Sequence, residues 1–215
     1  MNIAIILAAG SSNRFNGKKP KQFEYFNKKM ILEYSVDTFI NHPEIDEVII
    51  VVKKSYLNEI EKSIKGCKII QGGKKRQDSS LLGLMACPTN TRNVLIHDAA
   101  RPFVSNTIIS NCIVELKNSV AVCPAIPVND TVAIINSENN ISSMLDRNFV
   151  YCLQTPQAFH YKIIFECHKE LEKNVTDDIS VLQEFNYNCK LIKGSQQNLK
   201  VTYQDDLNKL SNFKI

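Results

Sequence analysis

Residues 3–23 read IAIILAAGSSNRFNGKKPKQF. The run Ile3–Leu7 has the length and branched apolar composition of a buried parallel strand. It passes without a break into small residues, Ala8-Ala9-Gly10-Ser11-Ser12, and then into a basic loop. Between Arg14 and Lys29 stand Arg14, Lys18, Lys19, Lys21, Lys28 and Lys29, against a single acid, Glu24. Like charges at that density repel unless an anion sits among them. Open parallel sheets bind ligands beyond the carboxyl ends of their strands, and small side chains let backbone N–H groups approach a phosphate there. Arg14 and Lys21, next to the stiffening Pro20, are the candidates for contact with that phosphate. Lys18, Lys19, Lys28 and Lys29 read as solvated charges.

Outward from this stretch the same rhythm continues. Short runs rich in Val and Ile at 46–52, 67–71, 93–97, 119–123 and 189–193 predict further strands. Helical patterns fill about 30–41, 55–65, 77–87, 105–117, 160–172, 177–186 and 204–212. Thr176-Asp177-Asp178 supplies a cap and first-turn acids for one of them. Such alternation predicts a doubly wound, mostly parallel α/β sheet with helices on both faces. One region breaks it: within 124–156, the β-like runs Thr131–Ile135 and Ile141–Leu145 flank the polar turn Asn136–Asn140. That pattern predicts a β-hairpin arm at about 127–150, which the central sheet does not need and which suits another subunit or a ligand. The expected organisation is one domain over 1–215 carrying this arm.

Composition narrows the function. The 215 residues are 44% apolar and 22% charged, with a formal net charge of +4. That is ordinary for a soluble globular protein and too mild for a duplex-binding domain, so no nucleic acid is expected as a partner. The opening apolar run is too short to span a membrane and has no basic leader or cleavage context, so neither a membrane nor export is expected, and the cytoplasm is the expected location. Seven cysteines, with no C-x-x-C pair, read as reduced core thiols, none in an activating pattern. The histidines lack metal-ligand spacing, and His42, His160 and His168 read as core or surface residues.

Two familiar phosphate loops fail on the opening stretch. The dinucleotide fingerprint needs G-x-G-x-x-G, and only Gly10 is present. The nucleotide-hydrolase loop needs G-x-x-x-x-G-K-[ST], whereas the spacing from Gly10 to Gly17 is too long and Lys19 stands where the magnesium-binding hydroxyl belongs. What the stretch resembles instead, as LAAGSSNRF with KPKQF, is the nucleotidyltransferase family that activates phosphorylated sugars and polyols. Further segments narrow the resemblance: QGGKKRQDS (71–79), HDAARPF (97–103), PVNDT (127–131), DRN (146–148), QTPQ (154–157), TDD (176–178) and NLKVT (198–202) follow the order of 2-C-methyl-D-erythritol 4-phosphate cytidylyltransferases. The resemblance covers essentially the whole chain and implies a Rossmann-like nucleotidyltransferase fold.

It also implies a chemistry: a phosphate oxygen of the second substrate attacks the α-phosphate of CTP in line, and pyrophosphate leaves. A phosphate monoester is already anionic near neutral pH, so positioning and charge neutralisation are what the protein must supply. By resemblance, Arg14 and Lys21 stabilise the transition state and Lys200 joins them from the far end of the chain. Ala8, Ala9, Gly10, Gly73, Arg76, Ser79, Asp98 and Ala99 are the expected nucleotide-binding residues, with QGGKKRQDS reading the pyrimidine. The resemblance implies an acid at the position after the glycine pair, where Lys74 stands here. Asp98 is the expected protein carboxylate for a magnesium ion held largely by the triphosphate. Arg101, Thr131, Arg147, Thr155 and Thr176 are expected to grip the polyol phosphate, Thr131 and Arg147 reaching a neighbour's site from the arm of a homodimer.

Three alternatives remain open at this level. A ribitol-5-phosphate cytidylyltransferase shares nearly every motif. A sugar-phosphate nucleotidyltransferase using UTP or GTP is more distant. A non-catalytic nucleotide-binding regulator would need only ground-state affinity, which leaves three separate cations unexplained.

Overall fold

The computed structural model describes residues 1–17 and 19–211; Lys18 of the basic loop and the last residue of the 204–212 helical pattern lie outside the described residues. The strands are β1 (Asn2–Ala8), β2 (Tyr25–Phe26), β3 (Lys29–Met30), β4 (Glu47–Val52), β5 (Lys68–Gln71), β6 (Asn93–Asp98), β7 (Ala121–Pro127), β8 (Val132–Ile135), β9 (Ile141–Leu145), β10 (Tyr151–Leu153), β11 (Gln157–His160) and β12 (Lys190–Lys193). The helices are α1 (Ile31–Ile40), α2 (Leu57–Ser63), α3 (Arg76–Met85), α4 (Asn106–Glu115), α5 (Tyr161–Glu170), α6 (Asp178–Glu184) and α7 (Asp206–Leu210).

Eight strands form the central sheet in the order β10-β7-β11-β6-β1-β4-β5, with β12 also on β7. β1 lies between β4 and β6, parallel to both, and β5 extends the parallel set. Successive β1 side chains alternate between two cores, as the period of two requires. Ala4, Ile6 and Ala8 pack with Leu32, Val36 and Phe39 of α1, Ile60 of α2 and Ile108, Ile109 and Cys112 of α4. Ile3 and Ile5 pack with Leu84 of α3, Ile164 and Cys167 of α5 and Ile179, Val181 and Leu182 of α6. Helices therefore cover both faces, as a continuous apolar strand demands.

Local chemistry sets several helix starts. Ser105 accepts from the Ile108 amide at 3.3 Å to cap α4, and Asp177 accepts from Ser180 N at 2.9 Å to cap α6. The hairpin forms at the expected runs, Val132 pairing with Leu145 and Ile135 with Ile141, across a bulge at Ile134/Ile135.

Four strands escape the sequence reading: the two-residue pair β2 and β3 and, in the central sheet, β10 and β11. β11 abuts the helical pattern at 160–172 on residues to which no strand is assigned, yet it enters the sheet between β6 and β7, antiparallel to both, and β10 pairs antiparallel with the end of β7. Both are short: four and three residues are too few for a period to declare itself, and Gln157, which opens β11, is a buried polar residue.

Candidate active site

A cavity of about 750 Å³ opens beyond the carboxyl ends of β1, β4, β5 and β6, within the range of small-molecule sites. Its walls include Ala9, Gly10, Arg14, Lys21, Gly73, Arg76, Ser79, Asp98 and Lys200. The opening loop forms one side. A Cβ placed on Gly10 would meet nothing within 4 Å, so the backbone there faces open space that a phosphate can enter. Phe15, only 2% exposed, anchors the loop by packing with Ile31, Val201 and Leu210.

Gln22 shapes that loop from beneath. It is buried, and its Nε2 donates to the carbonyls of Ala8 at 2.7 Å and Gly10 at 2.9 Å. Its Oε1 accepts from the Ser12 hydroxyl, which in turn accepts from Lys21 N. A trans peptide points its N–H opposite its C=O, so carbonyls turned in toward Gln22 turn the following amides, Ala9 and Ser11, away from it. Ser12 sits at a φ of +58°, a left-handed conformation uncommon for a residue with a Cβ, and these hydrogen bonds hold it there. Sequence reading passed Gln22 over; the available signal is a polar residue between Lys21 and the buried Phe23, just after Pro20.

The far end of the chain supplies the opposite wall. In NLKVT, Val201 is fully buried against Phe15 and Leu210, and its amide donates to Ala100 O at 2.8 Å. Asn198 is also fully buried, donating to Thr155 O at 2.8 Å. Anchored on both sides, the intervening Lys200 presents its ammonium to the cavity and to Asp98 Oδ2, 2.6 Å away. Burial, then the charge of Lys200 and that of Arg14, opposed by Asp98, lower the Lys21 ammonium from its ordinary value to about 8. These groups therefore feel one another as a single electropositive centre.

The base side is built from β5 and α3. Gly73 donates its N–H to Ser79 Oγ at 3.1 Å, and a Cβ on Gly73 would fall 2.3 Å from Asp78 Cβ, so only glycine allows the loop to close on the helix start. Lys74 lies on the cavity wall with Lys75, Lys53 and Lys54.

Asp98 ends β6, where β1 and β6 run side by side. Burial would raise its carboxyl, but Arg76 and Lys200 overcome that and hold it well below the ordinary carboxylate range. Its backbone N–H donates to Thr155 Oγ1 at 3.1 Å. The Thr155 hydroxyl also meets His97 Nδ1 at 3.1 Å, while His97 Nε2 lies 3.1 Å from Arg101 O. Burial lowers His97 to about 4, so it is neutral near pH 7. A consistent proton assignment has Nε2–H donating to Arg101 O and Thr155 donating to Nδ1.

This network gives two of the expected acceptor-binding side chains partners within the chain. Thr155 is 4% exposed and its hydroxyl is committed to His97 and Asp98, so it holds the Asp98 backbone and does not reach the cavity. Arg101 is likewise buried; its Nη1 donates to Asn198 O at 2.7 Å and its Nη2 to Leu153 O, fixing the segment that carries Lys200. Ala8 and Ala99 are both buried behind the lining residues, Ala99 N donating to Leu7 O. Arg76 does line the cavity, but its guanidinium is engaged by Asp98 and Asp178. Thr131, Arg147 and Thr176 are exposed and lie outside this cavity, and Arg147 Nη1 donates to Asn129 O at 2.9 Å within the arm.

Among the described residues, no group of three or more His, Cys, Asp and Glu side chains could hold a metal ion. Asp98 is the carboxylate on the cavity wall, with one hard-oxygen donor group to offer a dication whose other ligands come from a bound phosphate chain. No described helix is long and apolar enough to cross a membrane.

Residues 2–213 match the family model IspD, 2-C-methyl-D-erythritol 4-phosphate cytidylyltransferase. The chain is 39% identical to the protein of that name from Clostridium botulinum (strain Loch Maree / Type A3), covering 96% of this chain and 94% of that one. It is 36% identical to the one from Clostridioides difficile (strain 630), covering 97% and 91%. In structure it is similar to the 4-diphosphocytidyl-2C-methyl-D-erythritol synthase of Anaerococcus prevotii DSM 20548, with a TM-score of 0.85 and 32% identity over 97% of this chain and 93% of that one. With the LAAGSSNRF, KPKQF, QGGKKRQDS, HDAARPF and NLKVT segments contributing to the walls of one cation-lined cavity and the match running nearly end to end, the chain belongs to the 2-C-methyl-D-erythritol 4-phosphate cytidylyltransferase family, a family of nucleotidyltransferases.

Proposed function

We propose that the protein transfers the cytidylyl group of CTP to 2-C-methyl-D-erythritol 4-phosphate, releasing pyrophosphate. The observation that carries this reading is the convergence of Arg14, Lys21 and Lys200 on one cavity whose floor is a glycine-bearing phosphate loop. Asp98 pairs with Lys200 and Arg76, and the charge left on Arg14 and Lys21 suits a polyanion between them.

An oxygen of the acceptor phosphate forms a bond to the α-phosphorus, the bridging α–β P–O bond breaks, and its electron pair leaves with pyrophosphate. Arg14 and Lys21 oppose the charge that develops on the α-phosphate and leaving group, while the Ala9 and Ser11 amides receive the phosphate chain. Lys200 and Arg147 orient the acceptor phosphate, Arg147 by a paired contact suited to a phosphate. Gly73, Ser79 and the backbone around them enclose the pyrimidine, and Thr131 and Thr176 meet the polyol. Asp98, with triphosphate oxygens, would hold a magnesium ion that neutralises phosphate charge. Arg147 and Thr131, carried on the arm and outside the cavity of their own chain, act in the neighbouring subunit of a homodimer. The exposed apolar residues of the hairpin, Ile141 at 68% and Phe149 at 84%, are the surface that dimer would cover. The reaction is placed in the cytoplasm.

The test is pyrophosphate release by purified protein with magnesium and CTP, comparing methylerythritol 4-phosphate with ribitol 5-phosphate. Release with the first alone is expected. Release with the second alone overturns the acceptor while leaving the cations and the transfer chemistry in place.

A further inference from the structure

Behind the cavity a line of hydrogen-bonded polar side chains runs into the core. His168 Nε2, on α5, lies 3.0 Å from Asp178 Oδ1. Asp178 Oδ2 accepts from Arg76 Nη1 at 2.7 Å. Arg76 Nε and Nη2 both reach Asp98 Oδ1 at 3.3 Å, and Asp98 Oδ2 accepts from Lys200 Nζ at 2.6 Å. The inner end is buried, with side-chain exposure of 0% at His168 and 1% at Asp178, and the outer end, Lys200, is 38% exposed. The links join residues up to 102 positions apart in sequence.

We propose that Asp178, backed by His168, is a positioning residue for cytidylyl transfer: it anchors Arg76, and Arg76 sets how Asp98 is shared with Lys200. The inference rests on the transfer reading above. Its ground is the asymmetry at Arg76, whose short bond goes to the remote carboxylate and whose two long ones go to the carboxylate at the cavity. Pulled back by Asp178, the guanidinium cannot close a tight two-pronged pair on Asp98, so Asp98 keeps an oxygen for Lys200.

Stability does not call for this arrangement. α6 is already capped by Asp177, and Gln157 Oε1 accepts from the amides of Asp178 and Ile179 at 3.1 Å each. Burying a carboxylate with its partners is often no more stable than packing apolar groups of the same volume. Asp178 is nonetheless fully committed, with Arg76 and His168 outweighing its burial and holding its carboxyl down at about 2. Without that charge, Arg76 turns wholly to Asp98, and Lys200 loses its partner.

The variants Asp178→Asn, His168→Gln and His168→Leu, made in the full chain, test this. Asp178→Asn should lower kcat roughly 10- to 100-fold, while the CTP Kd, measured calorimetrically without acceptor, shifts less than about threefold. His168→Gln, whose amide restores a donor to Asp178, should stay within about threefold of wild-type kcat, and His168→Leu should fall roughly tenfold. Freed from Asp98, Lys200 in Asp178→Asn should react at least about threefold faster with an amine-acylating reagent, read by peptide mass spectrometry. A folded Asp178→Asn with wild-type kcat overturns the proposal. So does a parallel fall of kcat, CTP affinity and Tm, which marks a structural role. If Asp178→Asn does not fold, equal kcat values for the two His168 variants overturn it. Unchanged Lys200 labelling overturns it whichever acceptor the wild type uses, whereas a wild type inactive with methylerythritol phosphate counts against the acceptor alone.

Discussion

The cavity and the hairpin arm break the same rule in opposite directions. At the cavity, charged groups are drawn together: Arg14, Lys21, Arg76 and Lys200 line it against Asp98, itself 9% exposed. On the arm, apolar groups are pushed outside: Ile134, Ile135, Ile141, Met144 and Leu145 are 40–68% exposed on a two-stranded sheet with no core of its own. Charges gathered beyond what they neutralise, and apolar area left in water, are both costly within a single chain. In the reading proposed above, each cost is relieved by a molecule outside it, an anion in the first case and a second copy of the chain in the second.

The sharpest way to break this comparison is Lys21→Ala. If the cavity cations serve the transition state, kcat falls about 10³-fold while CTP Kd weakens less than about tenfold, checked by pyrophosphate release and calorimetry. Loss of CTP binding alone would make the cavity a binding site and not a catalytic one. Gln22→Leu comes next, because it releases two inward carbonyls without removing a charge. About a 10²-fold loss of kcat/KM is expected, with a stability cost of about 1–3 kcal/mol measured by denaturant unfolding.

Arg147→Ala probes the other region. It should raise the KM for the polyol phosphate about 10- to 50-fold and leave CTP affinity unchanged. Equal loss of both affinities would detach the arm from acceptor binding. Replacing Ile141 with Glu should shift sedimentation toward monomer while lowering the unfolding free energy of the monomer by less than about 0.5 kcal/mol, since so exposed a residue has little native burial to lose.

The mildest perturbation is pH. Lys21 in the free protein titrates near 8, and a bound polyanion raises that value. Below pH 8 the ammonium is already in place; above it, binding CTP must take up a proton, so affinity weakens as pH rises, by at most about tenfold per unit. Lys21→Arg should remove that limb. Because the folded chain holds this proton less tightly than the unfolded chain does, its contribution to the stability of the ligand-free protein rises with pH between about 8 and 10.5.

Individual residues show where the sequence was legible. Arg14, Lys21 and Lys200 lie in recognisable segments, and all three reach the cavity wall. Thr155 was equally recognisable and landed elsewhere, because a threonine's type does not say whether its hydroxyl meets a ligand or a buried histidine. Gln22 and His97 lie in the recognisable KPKQF and HDAARPF segments, but no role was readable for them, since what marks them is burial with satisfied partners, a property of the folded neighbourhood.

Sequence alone determined the elements: the apolar period of β1 and β4, the caps at Ser105 and Asp177 and the hairpin turn after Ile135 are each set by residues within a few positions of one another. Tertiary structure decided the rest. The insertion of β11 between β6 and β7, and the meeting of Asp98 with Arg76 from one side and Lys200 from the other, join residues too distant in sequence for any local period to register. Periodicity fixes which face a residue occupies. Only the packing of whole layers fixes which other residues share it.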